Sequence, residues 1–154
     1  MHFRPASAAD TTFVRELSTE AFAPFGDYRD LLPRWTAVPG VSTWVAVERA
    51  PCGFVMVGFY FGDPGRTWVY ADLLAIAVSP ACRGRGMGRR LLRHAVEVAQ
   101  TARTSFDVRE LRLTVADSNE RALHLFATEG FLVSEENHGR YDGGQLALRM
   151  HRPL

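Results

Sequence analysis

The chain has 154 residues, 47% of them apolar, which suits one compact domain over residues 1–154 and argues against a second. A formal charge of +1 excludes a protein whose main task is neutralising phosphates along a nucleic acid, because such proteins carry a clear basic excess. All 18 basic residues are Arg and none is Lys, which excludes a Walker-type phosphate lysine, a Schiff base and a nucleophilic lysine amine.

Along the chain, Ser7 and Asp10 have the spacing of a capping box. Phe13, Val14, Leu17, Ala21 and Phe22 follow at helical spacing, so a first helix is expected from about Ala8 to Ala23. Pro and Gly punctuate the aromatic-rich segment from Pro24 to Gly40, where one short helix is expected. Thr43 to Glu48 and Gly53 to Phe61 read as a strand hairpin turning at Ala50-Pro51-Cys52, and Thr67 to Val78 as a third strand. The apolar run from Leu73 to Val78 predicts a place in the sheet centre, buried on both faces.

That strand leads into Arg83-Gly84-Arg85-Gly86-Met87-Gly88 and then into a helix. Its apolar stripe is Leu91, Leu92, Ala95, Val96, Ala99 and Ala102. Leu111, Leu113 and Val115 alternate as a strand. Asp117 and Glu120 have capping-box spacing before a helix from about Asn119 to Glu129, closed by Gly130. A last hairpin, Phe131 to Glu136 and Gln145 to Met150, turns through Tyr141-Asp142-Gly143-Gly144.

Two cysteines, Cys52 and Cys82, fit neither a disulfide framework nor a zinc site. The five histidines form no ligand motif, so no metal is expected. The start MHFRPASAAD lacks an apolar signal stretch, and no window approaches the ~18 to 20 apolar residues of a membrane span. A cytoplasmic protein with no membrane or nucleic-acid partner, monomer or homodimer, is the expectation.

A buried strand running into a glycine-rich loop and a helix N-terminus is a device for holding phosphate. Small residues let the backbone approach, and unpaired amides point outward. Arg83, Arg85, Arg89, Arg90 and Arg93 add five positive charges within eleven residues. The Walker pattern is missing its lysine. A dinucleotide fingerprint needs a third glycine at position 89, which is Arg, and a preceding βαβ unit.

The stretch Ile76-Ala77-Val78-Ser79-Pro80-Ala81-Cys82-Arg83-Gly84-Arg85-Gly86-Met87-Gly88 resembles the signature of the GNAT N-acetyltransferase superfamily, a V-x-P element followed by [QR]-x-x-G-x-[GA]. Asn119, Ala122, Leu125, Gly130 and Phe131 match the family's second motif, with Phe126 where the family has tyrosine. The resemblance covers about residues 43 to 150, and more loosely the first helix.

It implies an α/β (α+β) fold: a mixed, mostly antiparallel sheet of six to seven strands, splayed between strands 4 and 5 and flanked by about four helices. It implies acetyl-CoA as cofactor and direct attack by an amine within a ternary complex. Ile76, Ala77 and Val78 would contact pantetheine and the acetyl carbonyl. Arg83, Gly84, Arg85, Gly86, Met87, Gly88 and Arg89 would hold the diphosphate, and Asn119 and Phe126 the coenzyme's other side.

Asp72 is the candidate base. Strand periodicity puts it on the face of Ile76 and Val78, unless a bulge shifts the parity. Phe126 has no proton for the departing thiolate, but a thiol ionises near pH ~8.5, so its anion leaves tolerably without one; water, Tyr70 or Tyr141 are substitutes. Phe22, Phe25, Tyr28, Trp35, Asp27 and Asp30, with Tyr141, are candidates for an aromatic, mildly acidic acceptor site.

The acceptor is expected to be a small-molecule amine more than a peptide amine. The ribosomal-protein N-terminal acetyltransferases resemble this chain in element order and at Gly144 to Met150, yet carry Glu where it has Thr114. Loss of the tyrosine leaves a second reading open, an acyl-CoA-binding or sensing module without catalysis.

Overall fold

The computed structural model describes residues 1–154. A strand not foreseen in the sequence comes first: β1 (His2–Pro5), a four-residue edge strand. The Ser7 amide donates to Asp10 Oδ2 at 2.8 Å, and both oxygens of the buried Asp10 accept from the Arg4 guanidinium at 2.8 Å. This holds β1 to a 3-10 turn (Ala8–Asp10) and then α1 (Thr11–Phe22). The short helix expected between Pro24 and Gly40 is α2 (Leu31–Trp35).

The expected hairpin is present as β2 (Val41–Val47) and β3 (Pro51–Phe61), followed by the central strand β4 (Val69–Val78). Next come α3 (Met87–Ala102), β5 (Val108–Ala116), α4 (Glu120–Thr128), β6 (Leu132–Glu135) and β7 (Ala147–Pro153). The α4 cap differs from the expected Asp117 box. Asn119 is the N-cap, its Oδ1 accepting from the Ala122 amide at 3.3 Å. The expected last hairpin is present, β6 pairing antiparallel with β7, and β7 also pairs with β5 so that β6 forms the edge.

The seven strands lie in the order β1-β2-β3-β4-β5-β7-β6, antiparallel throughout except for the parallel β4–β5 pair. That pair runs from Val69↔Val108 to Leu73↔Leu113 and stops, although β4 continues to Val78 and β5 to Ala116. The sheet therefore splits between its fourth and fifth strands.

The helices cover the two faces. On one, Leu91, Leu92, Ala95 and Ala99 of α3 and Phe126 of α4 bury against Val55, Val57, Leu73, Leu111 and Leu113. On the other, Val14 and Leu17 of α1 and Leu32 of α2 pack on Phe54, Met56, Ala75 and Ala77. β4 is central as expected, but its burial alternates rather than being complete on both faces: Val69, Ala71 and Leu73 bury toward α3, and Ala75 and Ala77 toward α1 and α2. No helix is long and apolar enough to cross a membrane.

Candidate functional site

At the end of β4 the chain makes a 3-10 turn (Pro80–Cys82) and enters the glycine loop. Gly84 and Gly86 sit at φ +79° and +77°, a left-handed region that costs other L-residues roughly 1–2 kcal/mol. A Cβ at either would meet nothing within 4 Å, so these positions face open space. No backbone hydrogen bond of the loop or helix cap uses the amides of Gly84 through Arg89 as donors. Such unpaired donors at the start of the sixteen-residue α3 form an anion site.

A cleft of about 680 Å³ runs from this loop to the split in the sheet. Ile76, Ala77, Val78, Arg83, Gly84, Gly86, Met87, Gly88, Arg89, Asn119 and Phe126, the residues expected to meet the coenzyme, all line it. Arg85 does not; its guanidinium turns to Glu48 at 3.2 Å. The arginine cluster is also less free than its sequence density implies. Arg83 Nε donates to the Val78 carbonyl at 2.9 Å while its terminal nitrogens hold Glu20, and Arg89 and Arg93 share the carboxylate of Glu129.

These ion pairs lower Glu129 below the usual carboxylate range, chiefly through its hydrogen bond with Arg93. The positive field at the loop thus comes from amides and from partly neutralised guanidinium groups. Glu20, Arg121 and His124 also line the cleft and were missed in the sequence, beside Leu125, which the sequence singled out only within the second motif. Positions 121, 124 and 125 share one face of α4 at the i, i+3, i+4 spacing, the one signal that pointed to them.

Coenzyme A fits this geometry on three counts. The loop presents undonated amides, both left-handed glycines leave room for a ligand against bare backbone, and β4 has a free edge beyond Leu73. The cleft volume lies within the range usual for cofactor sites, roughly 300–1,000 Å³.

Beyond Ile76, Asn119 and Phe126 the cleft opens into a second cavity of about 170 Å³ on the α1–α2 side. Phe22, Phe25, Tyr28 and Tyr141 line it, as foreseen, but Trp35, Asp27 and Asp30 do not. The expected acidity is absent: none of its lining residues is charged, Asp27 bonds Arg29, and Asp30 lies 3.9 Å from Arg15. The turn Tyr141–Gly144 closes one wall, with the Gly143 amide donating to the Phe25 carbonyl at 3.2 Å and Gln145 Nε2 to the Pro24 carbonyl at 2.8 Å.

Asp72 is not on the face of Ile76 and Val78. Met56 pairs with Ala75 and Val57 with Leu73, so Leu74 is an extra residue, a β-bulge that reverses the alternation. Asp72 consequently shares the α1–α2 face with Ala75 and Ala77, the face on which the second cavity lies. It adjoins the cavity-lining Leu73 in sequence without lining the cavity itself, and its carboxylate lies 4.0 Å from Arg149. Burial pushes its pKa up, with Arg149, Arg112 and His138 opposing that shift.

Arg149 Nη1 donates to His138 Nε2 at 3.0 Å, which leaves His138 Nδ1–H to donate to Glu135 at 2.9 Å. Of the substitutes for the missing tyrosine, Tyr70 is held under the Arg112 guanidinium, 3.8 Å from the ring centroid, and lines neither cavity. Tyr141 does line the inner one. Burial pushes its hydroxyl up to about 12, so it keeps its proton.

A sequence profile of the Acetyltransferase (GNAT) family matches residues 11–131. Among curated protein sequences none matches. Several solved structures resemble the whole fold. Arabidopsis thaliana NAA60 in complex with acetyl-CoA is 17% identical at a TM-score of 0.82, over 99% of this chain and 98% of that one. A ribosomal-protein-alanine N-acetyltransferase from Brucella melitensis is 20% identical at 0.80, over 100% of both. An IAA acetyltransferase from Bacillus cereus is 18% identical at 0.67, over 99% of both. At these identities the shared feature is the fold.

Proposed function

The chain belongs to the acetyltransferase (GNAT) family, and from that premise we propose that it transfers an acetyl group from acetyl-CoA to a primary amine, of a small molecule rather than of a protein N-terminus, by direct attack. The observation that carries this reading is the continuity of three features: the unpaired β4 edge beyond Leu73, the undonated amides from Gly84 to Arg89, and an uncharged cavity opening from the same cleft.

Acetyl-CoA supplies the activated thioester. The chain's own part begins with the loop amides, which hold the diphosphate at the N-terminus of α3. The β5-facing backbone of Ile76, Ala77 and Val78 would align the arm and offer an amide donor to the thioester oxygen.

The acceptor nitrogen must be neutral to attack. The uncharged cavity disfavours an ammonium by withholding water, and Asp72, on the same face of the sheet, takes the proton through solvent. Burial raises its pKa, which makes it a better base than an exposed carboxylate, and Arg149 and Arg112 oppose that shift. Tyr141, raised to about 12 by burial, keeps its proton at neutral pH and offers its Oη–H as a hydrogen-bond donor at the inner cavity. Phe126, buried against Phe131, offers no proton at all.

Calorimetry with coenzyme A and acetyl-CoA, followed by a thiol-release assay on an amine panel, tests the proposal. Saturable binding of both coenzymes with amine-dependent thiol release is expected. Absence of heat with either coenzyme on folded protein would refute it. The Phe126 substitution also favours a second reading, an acyl-CoA-binding module, and binding without release on any amine selects that one.

A further inference from the structure

The inner cavity has the size and lining of a site for one hydrocarbon group. An apolar protein cavity of about 150 Å³ is enough to take up benzene, and this one measures about 170 Å³. Its inner end is walled by Tyr28, Leu32 and Tyr141, while Phe22 and Phe25 stand where it joins the outer cleft. Two ring pairs shape it. Phe22 meets Tyr28 edge-on at 5.8 Å and 72°, and Phe25 meets Tyr141 at 5.4 Å and 51°. Such rings accept a further ring edge or face.

No lining side chain is charged; the polar ones are Thr114, Asn119 and the two tyrosines. A carboxylate or second ammonium carried on the acceptor would be desolvated there without a partner. The far side is shut by the Tyr141–Gly144 turn, which is tied to Pro24 and Phe25 by two hydrogen bonds, so a chain continuing past the side arm finds no exit in that direction. The mouth, where Ile76 and Asn119 belong to both cavities, is where the reacting nitrogen must lie.

Resting on the acetyltransferase reading, we propose that the acceptor is a small monoamine whose carbon chain ends in one ring-sized apolar group, of which phenethylamine is the model, with no second charge. The nitrogen sits at the mouth and the ring fills the space between Tyr28, Leu32 and Tyr141.

The test is a comparison of kcat/KM by thiol release for phenethylamine, ethanolamine, phenylalanine, spermidine and an alanine-starting peptide, with acetyl-CoA binding measured by calorimetry on the same protein. Phenethylamine should lead by about 100-fold or more, the scale on which apolar pockets and unpaired charges discriminate. Ethanolamine, phenylalanine, spermidine or the peptide matching it overturns the assignment. So does acetylation of none of them while acetyl-CoA binds, which leaves the coenzyme reading standing. Loss of coenzyme binding refutes the parent reading instead.

Thr114→Leu, which adds bulk at the wall, should lower kcat/KM for phenethylamine about 10-fold more than for methylamine. Equal losses on both amines overturn the cavity as the site of the side arm.

Discussion

Asp72 illustrates how one residue's role depends on a neighbour's geometry. Burial raises its pKa and Arg149 lowers it, with burial the larger cause, so ionised Asp72 costs the folded state something at neutral pH. For a carboxyl raised above its ordinary 3.8 in the folded protein, the unfolded state loses its proton first as pH rises. Stability therefore falls as pH climbs from the unfolded pKa through the folded one. Asp72→Asn removes that cost, so its thermal midpoint at pH 7 should equal or exceed the parent's. The same change should lower kcat by about 100-fold, the scale of a lost general base, and abolish the rise of kcat/KM with pH on the acid side, while coenzyme affinity stays put. A pH profile with calorimetry and a melting curve reads all of this, and an unaltered profile would remove Asp72 as base. The carboxylate was legible in the sequence but its face was not, because the extra residue Leu74 is as apolar as its neighbours and leaves no mark on the pattern. The tethers on the arginines were equally hidden: Arg83 reaches Glu20 across 63 positions and Arg89 reaches Glu129 across 40.

Among the elements, α3 was readable because six buried positions repeat at helical spacing, and the glycine loop because a left-handed backbone demands a residue type. β1 was not, since four residues ending in Pro5 have no periodicity to detect and pair only through β2. Short elements whose stability comes from partners distant in sequence behave this way. The Tyr141–Gly144 turn was visible as a turn, while its docking was not. A Cβ on Gly143 would lie 2.1 Å from the Pro24 carbonyl oxygen, backbone that cannot move aside without shifting the α1–α2 connection. Gly143→Ala should therefore push the turn off Phe25 and open the inner cavity. The expected signature is a KM for the acceptor raised about 10-fold, with a smaller change in coenzyme affinity, because Tyr141 lines only the inner cavity whereas Pro24 and Phe25 also border the cleft of the glycine loop. Steady-state kinetics alongside calorimetry separates that from global damage, which would move both numbers alike.

For the whole molecule the decisive feature is a sheet that is one body up to Leu73 and two halves beyond it. The β1–β4 half is tied together by ladders that run the full length of its strands, and the β5–β7–β6 half by its own. Past the Leu73↔Leu113 pair, contact between the halves depends on side chains that line the two cavities, Ile76 and Leu74 on one bank, Val115, Ala116 and Phe126 on the other. A ligand seated along the β4 edge joins the banks and binds only the folded state, so it must raise the melting temperature. At a hundredfold excess over Kd the linkage amounts to about 2.7 kcal/mol. For a domain of this length that corresponds to a shift of roughly 5–10 °C. Hydrogen exchange locates the effect. Amides from Gly84 to Arg89, which have no backbone acceptor, should gain protection on adding acetyl-CoA, together with Ile76 to Val78 of the β4 segment. The paired stretch from Val69 to Leu73 should change little, because its ladders are complete on both sides without ligand. Protection spread evenly over the sheet would mean that the split closes without help, and the free β4 edge would then not be where the coenzyme lies.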